Sequence, residues 1–458
     1  MKKDQVFTKI KPTYILIMAL LILCKLGSSP SQVVGAVELQ NDMIKLQIVP
    51  EKGGRVLQYK LGDYSFFWVN KKLANTTHPE TGLGPNGEWL NYGGEKLWPA
   101  PQGWDNDQQW PGPPDPILDG GAYVANIISE GDRPVGIHLT SQKDPRTGIQ
   151  FSREIRIADG TTKISIDATM KNIDTKVRRW GIWSNTQLDA SNRDGQGYNE
   201  NFWTYCQLNP NSKFYKGYNV QYGVVNNPSF KPDYENGIMR VHYQHLVGKV
   251  GIDSPGGWIA NVNATEGYVF VERFGYESDK EYPDGSSVEV WLNGIGEFVA
   301  WGKINKTPEN PEEIPYCVES EVISPYATLQ PGEDFTYHYD WFCTKIPPNS
   351  AVIQCSNVGI TCKSLVAELE NGQLTLRGKY GVFYRGYVRL RFFDNKKLEI
   401  KTCPLKIPVT PLQPLELSKL CPQITDKQVP HRADIVAILV YNEKEQYIGE
   451  LARTQIIK

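Results

Sequence analysis

The 458-residue chain lacks the features that identify several common classes of protein. Its 49 Lys and Arg residues against 51 Asp and Glu give a formal net charge of −2, whereas a nucleic-acid-binding protein normally carries a basic patch or stripe. The sequence contains no Gly-x-Ser-x-Gly, no phosphate-binding Gly-rich loop and no His-Glu-x-x-His. It also has no Cys-x-x-Cys and no His cluster with metal-ligand spacing. We therefore expect no nucleic-acid partner, no metal and no cofactor.

Long hydrophobic runs are absent after the N-terminus. Tyr14 to Cys24 is apolar but spans only eleven residues, whereas a membrane-spanning helix needs about 20. Several Lys residues precede this run, and Val34 and Ala36 give a small-residue cleavage pattern, so the segment is typical of a secretory signal. We expect residues 1–36 to be removed and the chain to be secreted or periplasmic. The alternative is an uncleaved or lipid-anchored N-terminus, the one membrane contact that the sequence suggests.

Sequence patterns typical of helices are also scarce, and most of the chain shows patterns typical of strands. Between Val37 and about Ile346, stretches such as "GIQFSREIRIADGTTKISIDATMKNID" and "SSVEVWLNG" alternate apolar and polar residues, as half-buried strands do. Turn pairs such as Asp159-Gly160 and Pro331-Gly332 separate the stretches. Many short strands divided by Gly and Pro indicate an all-β fold with a large antiparallel sandwich.

The chain is longer than a single hydrophobic core usually supports, which indicates two domains. The Pro-rich stretch "KIPPNSAVIQC" is the predicted boundary. We therefore expect a large sandwich over residues 37–346 and a small immunoglobulin-like sandwich over 347–458. The second region contains no catalytic constellation and is interpreted as an accessory domain.

The cysteines leave two possibilities open. In an exported chain they are able to pair, and the alternative is that they are buried free thiols. The predicted pairs are Cys355/Cys362, Cys403/Cys421 and Cys317/Cys343.

Two carboxylates are candidates for acid–base chemistry. In "ESEVISPYATLQPGE", Glu319 and Glu321 are two residues apart on a predicted strand, which places both side chains on the same face. Two neighbouring carboxylates are able to hold different pKa values, as proton transfer requires. The alternative is a solvated polar face.

Further candidates lie in "GIMRVHYQHLVGKVGIDSPGGWIA". His242 and His245 have odd and even positions on a predicted strand and so face opposite sides, which argues against a shared metal site. His242 is a candidate proton donor because histidine titrates near neutral pH; alternatively it is structural. Lys249 is a candidate hydrogen-bond donor to a ligand hydroxyl or carboxylate, or else a surface charge.

An ordered set of motifs resembles a known family. The stretches are "LQIVPEKGGRVLQYKLGDYSFFWVN", "GGEKLWPAPQ", "DGGAYV", "GIWSNTQLD", "GKVGIDSPGGWIA", "YPDGSSVEVWLNG" and "ESEVISPYATLQPGE". Together they are similar to the domain of unknown function 4380, a family of the galactose-mutarotase-like, carbohydrate-recognising supersandwiches. The resemblance covers about residues 37–345 and implies a sugar site on a concave sheet.

The resemblance also implies roles for individual residues. Aldose 1-epimerases of this fold pair a Glu, which removes the proton of the anomeric hydroxyl group and opens the ring, with a His, which protonates the ring oxygen. Glu319 stands at the Glu position, but Asn185 stands where the His is expected, so His242 would have to supply the proton. Gln187 and Arg55 are implied as sugar contacts.

Three functions therefore remain as hypotheses. The favoured one is a secreted carbohydrate-binding protein without turnover. The second is a sugar-active enzyme, epimerase-like or polysaccharide lyase-like, that uses Glu319 or Glu321 with a His donor. The third is a non-catalytic cell-envelope interaction protein, which would have no affinity for saccharides.

One segment, "NYGGEKLWPAPQGWDNDQQWPGPPDPILDGG", is unusually rich in Trp and Pro. On a sandwich it is predicted to be a long insertion at the rim of the concave face, stiffened by proline. Its Trp98, Trp104 and Trp110 rings offer flat apolar faces for sugar rings. We expect Trp98 to lie inside and the other two to be less buried. The alternative is that the rings only support the loop.

Overall fold

The computed structural model describes residues 35–458 except 75, 301–302, 309, 311–313, 372, 421–423 and 426–428. The regular structure of this part is almost entirely β-strand, with one 3-10 turn (Pro283–Gly285) and one short helix, α1 (Leu417–Leu420). Among the described residues, no helix has the length and apolar character needed to cross a membrane. Most of the predicted signal segment and Cys421 lie outside the described residues, so the signal and the Cys403/Cys421 pair stay predictions.

The strands up to Lys345 build two large sheets and one separate hairpin. The first group is β1 (Val37–Gln40), β2 (Ile44–Val49), β3 (Arg55–Leu61), β4 (Tyr64–Ser65), β5 (Glu95–Ala100), β6 (Val124–Glu130), β7 (Arg133–Thr140), β8 (Ile149–Ile157), β9 (Ile164–Asn172), β10 (Arg178–Asp189), β11 (Phe202–Gln207) and β12 (Asn219–Tyr222). The second group is β13 (Phe230–Asp233), β14 (Ile238–His242), β15 (Gly248–Ile252), β16 (Trp258–Asn263), β17 (Tyr268–Phe274), β18 (Val288–Leu292), β19 (Glu297–Ala300), β20 (Lys303–Lys306), β21 (Cys317–Ile323), β22 (Ala327–Leu329) and β23 (Asp334–Lys345).

The last part of the chain forms a third sheet. Its strands are β24 (Gln354–Cys355), β25 (Gly359–Glu370), β26 (Gln373–Val382), β27 (Gly386–Phe393), β28 (Glu399–Thr402), β29 (Ile407–Val409), β30 (Leu415–Glu416), β31 (Ile424–Thr425), β32 (Ile435–Asn442) and β33 (Tyr447–Ile457).

The two large sheets are antiparallel throughout the pairings between their strands. The first has the order β1-β2-β3-β5-β10-β21-β18-β15-β12, with β22 paired to β10 and β4 to β3. The second has the order β13-β14-β11-β16-β17-β23-β9-β8-β7-β6. Strands β19 and β20 form a separate hairpin. The central strands of the first sheet, β5, β10, β21, β18 and β15, carry the site described below.

The alternation in the sequence explains the core between these sheets. In β8 every second side chain, from Ile149 to Ile157, is buried, while the intervening ones are partly or fully exposed. The inward faces of the two sheets share one hydrophobic core. Across it, the ring of Tyr59 in β3 stacks on that of Trp341 in β23, with centroids 6.2 Å apart. The predicted large antiparallel sandwich is confirmed.

The third sheet encloses a smaller core of its own. It consists of two antiparallel groups of strands joined where β25 runs parallel to β33, at Ala367 and Ile456. The rings of Phe342 and Phe383, stacked with centroids 4.4 Å apart, pack this sandwich against the second sheet. The all-β prediction of a large and a small sandwich is thus confirmed, whereas the domain limits at residues 346 and 347 stay predictions.

The predicted disulfides do not form in the part of the chain that the structure describes. Its free thiols include Cys206, Cys317, Cys343, Cys355 and Cys362. The Cys317/Cys343 pair is wrong because both thiols are free, and the two residues lie on different sheets and not on neighbouring strands. Cys355 and Cys362, on the neighbouring strands β24 and β25, are also unpaired.

Candidate functional site

A cavity of about 420 Å³ opens over the central strands of the first sheet. Its volume lies within the range typical of small-molecule sites, about 300–1,000 Å³. The strands supply the floor, and the segment between β4 and β6 supplies part of the wall through Trp68, Trp89 and Trp104. The Trp- and Pro-rich loop therefore borders a cavity, as the sequence predicted.

Strand register builds the first row of the floor. Gln187 in β10 pairs with Glu319 in β21, which pairs with Trp291 in β18, which pairs with Lys249 in β15. Directly paired residues of antiparallel strands project to the same face, so the four side chains are neighbours. All four line the cavity.

A second row lies beside the first. Lys96 in β5, Asn185 in β10, Glu321 in β21 and Glu289 in β18 are paired in the same way. Since side chains two residues apart on a strand share a face, Glu319 and Glu321 both reach the cavity. The prediction that these two carboxylates share one face is confirmed.

The Glu319 carboxylate is held by nitrogen groups on three sides. Asn185 donates from Nδ2 to Oε2 at 3.0 Å, and Gln187 donates from Nε2 to Oε1 at 2.6 Å. The Lys96 Nζ lies 3.8 Å from Oε1. Burial lowers the pKa of Lys96, and the Glu319 charge opposes that effect. The neighbours of Glu319 therefore fix the orientation of its carboxylate.

Glu321 has a different environment. Its Oε2 accepts a hydrogen bond from Trp183 Nε1 at 3.0 Å and lies 2.9 Å from Lys249 Nζ, which also pairs with Glu289 at 2.6 Å. Burial raises the pKa of Glu321 well above its usual range; Lys249 offsets part of this effect, and the Glu289 and Glu319 charges add to it. Burial therefore makes the Glu321 carboxyl group hold its proton more tightly than an exposed Glu does.

Several buried polar atoms around Glu319 have no hydrogen-bond partner among the described residues. They are Lys96 Nζ, Asn185 Oδ1, Gln187 Oε1 and Glu321 Oε1. Buried polar atoms in proteins are rarely left without a partner, and each exception calls for an explanation. Gln187 and Glu321 line the cavity, so their two free acceptors face a possible ligand, whereas Lys96 and Asn185 are fully buried and do not line it.

Tryptophan dominates the cavity wall. Half of the chain's twelve Trp residues line it, namely Trp68, Trp89, Trp98, Trp104, Trp183 and Trp291. Trp98 is the centre of one aromatic group, with ring centroids 6.4 Å from Trp89 and 5.1 Å from Trp183. Tyr222, Trp291 and Phe298 form a second group with centroids 5.7 to 6.4 Å apart. The cavity thus combines flat apolar faces with a charged floor.

A carboxylate that the sequence motifs did not predict holds two of these rings in place. Asp119 accepts hydrogen bonds from Trp89 Nε1 at 2.7 Å and Trp98 Nε1 at 2.8 Å, and Arg55 pairs with it at 2.7 Å. Arg55 is fully buried and does not line the cavity. The expected direct contact of Arg55 with a ligand is therefore corrected: the side chain stands behind the wall and positions the rings through Asp119.

The three Trp residues of the loop differ in exposure. Trp98 is 4% exposed, Trp104 is 39% exposed, and both line the cavity. Trp110 is 0% exposed and donates from Nε1 to Asp115 at 3.0 Å. The prediction that Trp110 is less buried than Trp98 is wrong, because Asp115 holds its indole inside the core. Trp110 supports the loop and does not reach a ligand.

His242 does not belong to the cavity. It lies in β14 of the second sheet, where its ring stacks on Trp203 with centroids 3.9 Å apart and its Nε2 lies 2.8 Å from the Glu200 carbonyl oxygen. Burial is the main cause that lowers its pKa. The hypothesis that His242 donates a proton beside Glu319 is wrong, because the two residues stand on different sheets.

Some residues of the two rows and the cavity wall were predictable from the sequence, and others were not. It identified Asn185, Gln187 and Lys249, which the structure brings together with Glu319 and Glu321. The missed residues include Lys96, Trp183, Glu289 and Trp291. Their signal was present: Trp183 stands two residues before Asn185, and Lys96 two before Trp98, on the same faces. Trp68, Trp89 and Asp119 lie outside strands and had no such signal.

The fold and the site define a class: a large antiparallel supersandwich with a Trp-lined, carboxylate-bearing cleft on one sheet. Comparison with known protein families also identifies the family within that class. The family model described as "Domain of unknown function (DUF4380)" matches residues 34–344, so the chain belongs to this family, as its motifs predicted. No curated protein matches the chain.

Among solved structures, the chain is similar to several galactose mutarotase-like proteins. A galactose mutarotase-like protein from Lactobacillus casei is 14% identical, with a TM-score of 0.42, and the match covers 68% of this chain and 100% of that one. A galactose mutarotase related enzyme from Lactobacillus acidophilus is 10% identical, with a TM-score of 0.41, and the match covers 67% of this chain and 96% of that one. A galactose mutarotase-like protein from Clostridium acetobutylicum is 8% identical, with a TM-score of 0.40, and the match covers 68% of this chain and 95% of that one.

Proposed function

We propose that this protein binds carbohydrate in the cleft over the first sheet, as a secreted or periplasmic protein. The observation that carries the proposal is the convergence of six Trp rings on a floor formed by Gln187, Glu319 and Lys249. The N-terminal sequence supports export.

The chemistry of the cleft matches that of a sugar. Flat indole faces pack against the apolar C–H faces of a sugar ring, while planar polar side chains bond its hydroxyl groups. A hydroxyl group both donates and accepts a hydrogen bond. It can therefore donate to Gln187 Oε1 or Glu321 Oε1, unpartnered acceptors on side chains that line the cavity.

A second candidate function is acid–base catalysis on an aldose. The observation that favours it is the contrast between Glu319, surrounded by N–H groups, and Glu321, whose pKa is raised by burial. Glu319 would accept the proton of the anomeric hydroxyl while Glu321 gives a proton to the ring oxygen. The bond between the anomeric carbon and the ring oxygen then breaks, and the open-chain aldehyde forms. In this scheme Glu321 takes the role that Asn185 and His242 are unable to fill.

Exchange NMR distinguishes carbohydrate binding alone from catalysis on an aldose. The mature protein is mixed with a panel of reducing aldoses, and anomeric line widths and exchange rates are measured. Broadening without faster exchange supports binding alone. Faster exchange that is lost in both Glu319→Gln and Glu321→Gln supports catalysis.

The experiment has a matched control and a clear negative outcome. Gln196→Ala removes an exposed amide outside the cleft and should change neither signal. If no sugar broadens or exchanges, carbohydrate binding is contradicted, and the alternative of a cell-envelope interaction protein takes its place.

A further inference from the structure

The cleft continues beyond Lys249 into a second compartment of about 230 Å³. Four residues form the boundary between the compartments and line both: Gln102, Trp183, Tyr222 and Lys249. The remaining lining of the second compartment includes Asn219, Gln221, Asp284 and Glu289. The site described above is therefore one part of a longer cleft.

A bulge at the edge of the first sheet shapes this compartment. In the pairing of β12 with β15, Val220 pairs with Val250 and Tyr222 with Lys249, so Gln221 is an extra residue. Bulges bend a strand and change the direction of a side chain. Here the bulge allows the consecutive residues Gln221 and Tyr222 both to line the cleft, which regular alternation would prevent.

A glycine makes room for the side chain that the bulge redirects. Gly251 lies between Asn219 and Glu289 in the cross-strand pairing. The Gln221 amide donates from Nε2 to Glu289 Oε1. A Cβ atom at Gly251 would lie 2.9 Å from Gln221 Nε2 and 2.3 Å from Ser286 Oγ, closer than ordinary contacts allow. The bulge and the glycine are thus two separate features that open the same compartment.

The chemistry of the second compartment repeats that of the first. Trp183 and Tyr222 present aromatic rings, and Gln221 presents a planar amide. Among the described residues, the side chains of Asn219 and Asp284 have no hydrogen-bond or ion-pair partner. Their polar groups are therefore available to a ligand in this compartment.

We propose that the second compartment is a further sugar subsite and that the ligand is a saccharide of two or more linked residues. The inference rests on the proposed carbohydrate binding. The Asp284 and Glu289 carboxylates disfavour a uronic acid in this subsite by charge repulsion, so its occupant is a neutral residue. Lys249 compensates only part of this negative charge, because Glu289 and Glu321 share it.

Titration calorimetry on the mature protein tests this proposal. The probes are glucose, galactose, mannose and xylose with their neutral linked di- and trisaccharides. At least one linked saccharide should bind ten or more times as tightly as its own monosaccharide. The double variant Asn219→Ala/Gln221→Ala should remove most of that tenfold difference while changing the affinity for the monosaccharide less than threefold. Gln196→Ala, outside both compartments, should preserve both affinities.

The outcomes distinguish this inference from the function on which it rests. Equal affinity for every linked saccharide and its monosaccharide overturns the second subsite but keeps carbohydrate binding. A double variant that weakens both kinds of ligand equally, with an unchanged melting temperature, also overturns it. If no saccharide of any length binds the wild-type protein, the proposed function fails and the second subsite fails with it.

Discussion

The two faces of the central strands in the first sheet differ in how completely their polar groups are bonded. On the face toward the second sheet, all four carboxylate oxygens of Glu95 and Glu272 accept hydrogen bonds. The donors are Arg153, Ser184, Thr186, Ser320, Tyr339 and Trp341. The carboxylate oxygens of this inner network are therefore all bonded by the protein itself.

The cleft face of the same strands is not saturated. Asn185 and Gln187 alternate with Ser184 and Thr186 along β10, yet Asn185 Oδ1 and Gln187 Oε1 have no partner among the described residues. Burial of a polar atom alone therefore does not identify a binding site, because both faces are buried. What separates them is whether the bonding capacity of the buried atoms is used up. The inner network joins the sheets, whereas the cleft face keeps bonding capacity that the proposed ligand would use.

Removal of Arg153, the cation of the inner network, should cause the largest loss of stability. Arg153→Met leaves the fully buried Glu95 without its ion-pair partner at 2.6 Å. Breaking one side of a buried pair costs about 3–5 kcal/mol. We expect the free energy of unfolding, measured by urea titration, to fall by that amount.

A matched surface pair gives the control for this prediction. Arg133 and Asp159 are 2.7 Å apart, with side chains 46% and 64% exposed. Because exposed pairs contribute about 1 kcal/mol or less, Arg133→Met should have little effect. Equal losses in the two variants would contradict the distinction between a saturated inner network and an ordinary surface pair.

Glu272 makes the inner network sensitive to pH. Burial is the main cause that raises its pKa to about 8, with a contribution from the Glu95 charge. Because this value exceeds that of the unfolded chain, the folded state binds the proton more tightly. The resulting stability is complete below the unfolded pKa and is lost as pH rises toward 8. The loss between pH 6 and pH 8 should be about 2 kcal/mol.

Glu272→Gln tests this pH dependence. The amide does not titrate, so the stability of the variant relative to wild type should rise from pH 6 through pH 8 and level off about one pH unit above 8. Urea titrations of both proteins at each pH measure the difference, in which the other titrating groups cancel. A difference that is independent of pH would show that Glu272 has a normal pKa.

The sequence predicted those parts of the molecule that depend on local periodicity. Alternation in β8 and β9 identified the sandwich, and the spacing of two identified Glu319 and Glu321 as neighbours in one site. The motif around β10 likewise led to Asn185 and Gln187. These inferences succeeded because a strand assigns each side chain to a face from the position of its neighbours alone.

The errors concern which segments meet in space. His242 lies on a strand, as expected, but pairing assigns that strand to the second sheet. Trp110 lies in the same Trp- and Pro-rich segment as Trp104, and both were expected to be less buried than Trp98. Asp115 instead holds the Trp110 ring in the core. Asp119, which holds Trp89 and Trp98, lies in a loop without any periodic signal. Long-range pairing and side-chain bonding decide these features, and neither is visible in a local window.

Substitutions at two adjacent residues of β10 test whether the two faces have different functions. Thr186→Val removes a donor to the buried Glu272, which should cost about 1–3 kcal/mol of stability and leave saccharide binding unchanged. Gln187→Ala removes a donor to the cleft residue Glu319. It should cost about 1 kcal/mol of stability and lower saccharide affinity at least tenfold.

Urea titration and calorimetry on both variants measure this crossed pattern. If Thr186→Val weakens binding as much as Gln187→Ala does, the two faces are not functionally separate. If neither changes binding, Gln187 is a structural residue like its neighbour.

The smallest effect on stability is expected at the rim of the cleft. Trp104 is 39% exposed, so Trp104→Ala should change the free energy of unfolding by about 0.5 kcal/mol or less. Loss of the stacking face should nevertheless weaken saccharide binding roughly tenfold. Tyr215, whose ring is fully exposed and outside the cleft, supplies the control, since Tyr215→Ala should alter neither quantity. Unchanged affinity in Trp104→Ala would mean that the ring supports the loop, as Trp110 does, and that the cleft face begins deeper, at Trp98 and Trp183.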